Sequence, residues 1–365
     1  MKTIAIAATL LSLIFSAFAS EQSGDKRYLY VAVPGIRNYL EFGGHGLLVF
    51  DIDNNHKFVK RIPTAGVDEA GKPLNVKGIC ASAATKRVHI STIKTLTCID
   101  LLSEKVLWEK AYEGGCDRMA ISPDGKIIYL PSLEKDHWHV VDALSGDVIK
   151  RLDPKSGAHN TLYGPDGKWV YLAGLKSPIL SIADTKDHTI TRGCGPFDNF
   201  VRPFTINRKQ TRCFVNINEL LGFEVGDLVS GKKLYRVEVD GFSKGPIKRH
   251  GCPSHGIGLT PDEKELWIAD AANERMHVFD ATSGGAPKQI ASIKVREQPG
   301  WVTFSLDGTY AYPSTGDIID LKTRKIVAGL TDENGGQVHS EKMVEIHFRG
   351  KDPVRTGDQF GIGRK

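Results

Sequence analysis

The chain has 365 residues, of which 41% are hydrophobic and 25% charged, and it carries a formal net charge of +5. Its basic residues are scattered among turns rather than striped along one face, which argues against a nucleic-acid-binding surface. The modest positive balance favours an anionic or neutral partner over a cationic one.

Residues 1–19 read as a secretory signal. Lys2 supplies the positive start, residues 4–15 form an apolar stretch, and Ala17-Phe18-Ala19 fits a small-x-small cleavage pattern. The apolar stretch is shorter than the roughly 20 residues a membrane-spanning helix needs. No cysteine follows the cleavage site, so nothing signals a lipid anchor. The remainder is expected to be soluble, monomeric, and periplasmic or secreted, with no membrane contact after cleavage.

The next segments are short strands at 28–33, 46–51 and 58–62. They occupy the second, third and fourth places of a small antiparallel sheet, with no first strand before them. From residue 76 to 330 a fuller unit recurs six times, at a turn spacing of about 40 to 55 residues, which is the range of propeller blades. SPDGKIIYLPSLEKDHWHVVDALSGDVIKRL begins at Ser122, GPDGKWVYLAG at Gly164 and SLDGTYAYPSTGDIIDLKTRKIVAGL at Ser305. The clearest copy, SHGIGLTPDEKELWIADAANERMHVFD at residues 254–280, is a strand, a Pro-Asp turn and two more strands. Pro presets the turn's φ and Asp bonds its own backbone. The copies from Ala84 and Asn207 lack Pro-Asp-Gly but keep the strand rhythm. Residues 343–348 form a first strand with nothing after it. Pairing it with residues 28–33 closes a ring of seven blades and leaves few exposed sheet edges. The expected fold is therefore all-β, with residues 20–365 forming a single seven-bladed β-propeller domain.

The Ser-Pro-Asp-Gly-Lys-x-x-Tyr turn at residues 122–129, followed by Val-Val-Asp at 140–142 and Ser-Gly-Asp-Val at 145–148, resembles the YVTN-repeat family of β-propellers. The resemblance covers nearly the whole chain after the signal. It implies the seven-bladed fold and a place among lactonase-like and quinoprotein-like propellers. That family spans enzymes and binding modules, so function has to come from the site.

In such a propeller the first strand of each blade lines the central channel. Superposing the blades on the turn after that strand places Lys77, Asp117, His159, Arg202 and His255 at one matched position. The next position carries Gly78, Arg118, Asn160, Pro203, Gly256 and Trp301. A structural blade needs no charge there, and convergence of polar groups is how ligand pockets form. The loops between second and third strands add Arg37, Asn38 and His45 from the first blade, and Lys94, His137, Lys176, Asn216 and Asn273 from others. The excess of Arg, Lys and His fits a carboxylated or sulfated sugar. Trp301, with Tyr39 or Trp138, would give such a ring an aromatic platform.

Among the remaining histidines, His89, His139 and His277 fall on strands and are read as packing, and His56, His188 and His347 as surface or edge residues. His159 and His255 are read as pocket residues, with hydrogen bonding between blades as their competing role. No resident metal is expected. A divalent cation shared between these two and His45 or His137 is the one cofactor left open. Among the six cysteines, Cys194 and Cys252 sit in loops entering neighbouring blades and are the pair to test for a disulfide, against a bland reading of buried thiols.

No nucleophile elbow, P-loop or haem-attachment motif is present. Cys252 stands near His255 in sequence, which does not establish bonding distance. Asp117 stands nearly alone, so no carboxylate pair for glycoside hydrolysis is visible. The reading is an exported propeller that binds an anionic small molecule or acidic polysaccharide at its channel mouth. The alternative is an enzyme of lyase or lactonase type on the same face. There His159 or His255 would be the base and Arg202, Arg118 and Lys77 the clamp.

Overall fold

A computed structural model describes residues 25–359, and the expected signal at residues 1–19 lies outside them. Seven antiparallel sheets follow one another around a channel, six with four strands and one with five. Blade 1 holds Lys26–Val33, Gly46–Asp51 and Lys57–Ile62, with Met343–Arg349 returning to its inner side. The inner strands of blades 2 to 7 are Val76–Ser82, Ala120–Ile121, Ala158–Tyr163, Val201–Ile206, Ser254–Leu259 and Val302–Phe304.

The repeated turn has a hydrogen-bond logic. In blade 3 the Ser122 hydroxyl donates to Asp124 (2.6 Å) and accepts from the Ile127 amide (2.9 Å), while Gly125 takes φ 73°. Thr260 with Asp262 and Ser305 with Asp307 repeat the pairing in blades 6 and 7. In blade 5 one side chain does the work of two. Asn207 Oδ1 accepts from the amides of Thr211 (2.9 Å) and Arg212 (2.8 Å), so the strand rhythm survives the loss of Pro-Asp-Gly. The aspartate ending each third strand caps the next turn. Asp142, for example, accepts from the amides of Leu144 (2.8 Å) and Ser145 (2.9 Å).

The core lies between blades. Tyr30, Leu47 and Val49 of blade 1 pack against Ile79, Val88 and Ile99 of blade 2, together with Val344, Ile346 and Phe348 of the returning strand. Blades 5 and 6 meet through Phe223, Val225, Ile257, Leu266 and Phe279. The returning strand Met343–Arg349 closes the ring as expected, with Tyr30 opposite Val344 and Tyr28 opposite Ile346.

The expectation that nothing follows the closing strand is corrected. Asp352–Thr356 adds a fifth strand on its inner side. It has no apolar alternation to betray it, since Pro353 is buried while Val354 is exposed. The chain then enters the channel. Trp301 Nε1 donates to the Gln359 carbonyl, and Gln359 Oε1 accepts from the Ile79 amide at 3.4 Å.

His56 and His347 are buried rather than at the surface. His56 Nε2 lies 2.9 Å from the Tyr312 hydroxyl and His347 Nε2 2.5 Å from Glu345. All six cysteines are buried thiols. Cys194 faces Cys213 at 3.8 Å rather than Cys252, whose sulfur donates to the Ser254 carbonyl.

Candidate functional site at the channel mouth

Each inner strand starts at the same mouth of the channel, so the residue at or just before its start points toward the axis. Seven blades supply seven such residues. Lys77, Asp117, His159, Arg202 and His255 are joined by Gly300 from blade 7 and Glu341 from blade 1. Gly300 is glycine for a steric reason: a Cβ there would come 2.1 Å from His250 Cε1 and 2.6 Å from Glu341 Oε1. Gly256, one residue on in blade 6, has its own reason, since a Cβ there would meet the Trp301 Cα at 2.4 Å.

These residues surround a cavity of about 290 Å³. Its lining includes Arg37, Lys77, Arg118, Arg202, Arg249 and Lys342, the imidazoles of His159, His250 and His255, and the carboxylates of Glu134 and Glu341. A larger cavity of about 320 Å³ lies between blades 1 and 2, and two more, of about 520 and 490 Å³, lie elsewhere. One sits between the turns of blades 6 and 7, where Asp262 and Glu265 are already paired with Lys264 and Arg324. The other surrounds residues 354–359 at the opposite mouth and has a mixed apolar and polar lining.

Within the site, Asp117 is fully buried and stands behind His159. Its Oδ2 accepts from His159 Nδ1 at 2.7 Å, and Lys77 Nζ lies 3.4 Å from Oδ1. Burial alone would raise the Asp117 pKa, but Lys77, His159 and Arg118 outweigh it and hold the carboxyl down at about 2. Burial pushes His159 to about 4 against the pull of Asp117. At neutral pH the pair is therefore a carboxylate and a neutral imidazole. The Nδ1 proton is committed to Asp117, and Nε2 is buried without a hydrogen-bond partner.

Arg118 is also buried. Its guanidinium lies 3.9 Å over the Trp301 ring and donates from Nη2 to Glu341 Oε2, while Nε and Nη1 have no partner among the described residues. Burial lowers it to about 10, so it stays charged. Arg202 Nη2 donates to the His250 carbonyl at 2.8 Å and its Nε is unpartnered. Lys342 Nζ donates to Gly35 O and Glu341 Oε2, both at 2.8 Å, and burial, with Arg118 and Lys77 nearby, pushes its pKa far down.

Of the expected residues, Lys77, Arg118, His159, Arg202, His255 and Arg37 line the cavity. Asp117 stands one shell behind. Trp301 is 1% exposed and supports Arg118 from beneath instead of forming a platform in the wall. His45 turns away, with Nε2 3.2 Å from the Ala65 carbonyl and 3.3 Å from the Thr64 hydroxyl. His137 binds the Glu113 carbonyl, and Trp138 donates to Thr161 inside the blade packing.

Sequence reading missed Arg249, His250, Glu341 and Lys342. For the last two a signal existed. Glu341 and Lys342 precede the closing strand as Asp117 and Arg118 precede theirs, but that strand is followed by Arg349 and Gly350 rather than the turn used for superposition. Arg249 and His250 come from the long connection between blades 5 and 6, residues 239–253, which lies outside the repeated strands and turns.

No family model matches the chain, and neither does any curated protein sequence. Solved structures do match in shape. A β-propeller domain of Cps50 (Swd1) from Myceliophteria thermophila is 10% identical, with a TM-score of 0.58, over 70% of this chain and 85% of that one. Hydrazine synthase from Kuenenia stuttgartiensis is 16% identical, with a TM-score of 0.47, over 74% of this chain and 98% of that one. At 10% identity the likeness to the Cps50 domain extends to fold alone, and what the ring of charged residues does has to be argued from its own geometry.

Proposed function

We propose that this chain is an exported propeller of the YVTN-repeat kind that binds a small anionic ligand, a carboxylate or acidic sugar, in the cavity at its channel mouth. The observation that carries this reading is the set of buried guanidinium N–H groups around the cavity left without partners among the described residues: Arg118 Nε and Nη1, Arg202 Nε and Arg249 Nη1. A buried donor without an acceptor costs about 1–3 kcal/mol, and more when charged. Carboxylate or sulfate oxygens satisfy planar guanidinium donors two at a time. The surrounding Arg37, Lys77 and Arg249 add charge of the same sign. A volume of about 290 Å³ is small for a ligand pocket. That size suits one acidic sugar unit or the end of a chain better than the middle of a polysaccharide.

Acid–base catalysis on the same face is the second reading, and the Asp117–His159 pair favours it. A carboxylate holds the imidazole in one tautomer, as a general base requires. With its pKa near 4, however, the imidazole is about three decades too weak to be well matched to neutral pH. Binding is therefore preferred.

The test is a panel of uronic acids, acidic oligosaccharides and small carboxylates against the purified chain, read by thermal shift and calorimetry, with ultraviolet absorbance to detect unsaturated products. Binding of at least one anion is expected, weakened roughly 10- to 100-fold in Arg202→Ala, the range for a charge-assisted hydrogen bond. Product formation that disappears in His159→Ala would favour the enzyme. If no anion shifts the wild type, or if Arg202→Ala binds equally well in its folded state, the reading is wrong.

A further inference from the structure

His250, His255 and Glu341 offer ligand atoms that all lie within 4.8 Å of one another, and all three line the cavity. They come from three places in the chain: the long connection before blade 6, the inner strand of blade 6, and the residue pair preceding the closing strand. Gly300 clears the space between them.

The protons around this cluster can be assigned from its partners. His250 Nε2 lies 3.2 Å from the Gln298 carbonyl and His255 Nδ1 lies 2.8 Å from the Gly300 carbonyl. A carbonyl oxygen only accepts, so each of these nitrogens carries its ring's proton. That leaves His250 Nδ1 and His255 Nε2 as the lone-pair nitrogens. His250 Nδ1 then faces Glu341 Oε1 at 2.9 Å, a second lone pair. Two acceptors at that distance repel unless a cation joins them. A second proton on His250 is one such cation. A metal ion takes the two lone pairs directly.

The supporting contacts have the form found around metal ligands, where backbone carbonyls fix the tautomers of coordinating histidines and hydrogen bonds hold the coordinating carboxylate. Gln298 and Gly300 do the first. Arg118 and Lys342 do the second, both on Glu341 Oε2, which leaves Oε1 free to coordinate. Two ligands on one tetrahedral ion with bonds near 2.1 Å stand about 3.4 Å apart, so binding requires the 2.9 Å pair to part by about half an ångström.

We propose that His250 Nδ1, His255 Nε2 and Glu341 Oε1 form a site for one divalent transition ion, with a zinc-like preference. Two imidazoles and one carboxylate are a donor set for such ions rather than for calcium or magnesium. Three protein ligands leave a position open on the cavity side, where an anion would complete the coordination. This last point rests on the anion-binding reading, but the metal site does not.

The test uses the folded, full chain stripped with a chelator and kept in buffer without carboxylates or phosphate, so that its outcome is separate from anion binding. Cobalt(II) is titrated and followed by visible absorption, and zinc(II) by calorimetry and by displacement of cobalt. One ion per chain is expected. Affinity should drop more than roughly 100-fold in both His250→Ala and His255→Ala, beyond the 10- to 100-fold typical of losing an outer-shell partner. Folding of each variant is checked by circular dichroism. Should a variant fail to fold, X-ray absorption of the zinc-loaded wild type decides, and two imidazole ligands are expected. No stoichiometric binding by the wild type, undiminished binding in both folded variants, or fewer than two imidazoles would each overturn the site.

Discussion

Ending the chain at Gln337 removes the strand that closes the ring. Val338, Met343, Val344 and Ile346 are each 1% exposed or less and Phe348 is 8% exposed, and all five leave the core. At about 1.5–3 kcal/mol per buried apolar side chain the loss is about 8–15 kcal/mol, an upper value because unfolded chains already hide some apolar surface. That matches the entire 5–15 kcal/mol by which a typical domain is stable. The register with Lys26–Val33 also goes, leaving an open, apolar strand edge beside blade 2. Urea unfolding followed by tryptophan fluorescence should show no cooperative transition for the truncated chain, and size-exclusion chromatography should show oligomers. A synthetic peptide covering residues 338–359 should restore the monomer. A truncated chain that stays monomeric with an unchanged urea midpoint would refute closure by this strand.

Buried neutral histidines make stability depend on pH. His89 and His159 are held near 4, chiefly by burial, whereas an unfolded histidine titrates near 6.5. Between those values the unfolded chain takes up protons that the folded chain refuses. Stability should therefore be full above pH 6.5 and fall as the pH drops toward 4, by roughly 3 kcal/mol for each such histidine, and a flat urea midpoint from pH 7 to about 4.5 would contradict this. For the cysteines, oxidation of the native chain should link Cys194 to Cys213, whose sulfurs lie 3.8 Å apart. A non-reduced digest read by mass spectrometry that instead links Cys194 to Cys252 would show the local packing to be wrong.

The fold was legible because its information is local and repeated. Ser122-Pro123-Asp124-Gly125 forms its turn with bonds inside six residues, and each aspartate closing a third strand caps the very next amides. Such signals need no knowledge of distant chain. The fifth strand, Asp352–Thr356, lacked them: it pairs with the strand before it, and Pro353 is its one buried residue.

The site divides along the same line. Lys77, Asp117, His159, Arg202 and His255 share a position that the repeat defines, so superposing blades brought them together before any coordinates. His250 owes its place to no repeat. It is set by a long connection whose course depends on Arg202 holding the His250 carbonyl and on the missing side chain at Gly300, contacts that span 48 residues or more in sequence. Trp301 erred in the other direction, since position alone made it a platform while its indole is spent on Gln359 and on the face of Arg118. A repeat thus predicts where a side chain starts, and the contacts between blades decide what remains free to meet a ligand. In this ring the groups left free are the guanidinium donors of Arg118 and Arg202 and the lone pair of His159. The ring's carboxylates each hold a neighbour, Asp117 Oδ2 holding His159 and Glu341 Oε2 holding Arg118. The result is a mouth whose guanidinium donors stay unspent, which is what the anion-binding proposal rests on.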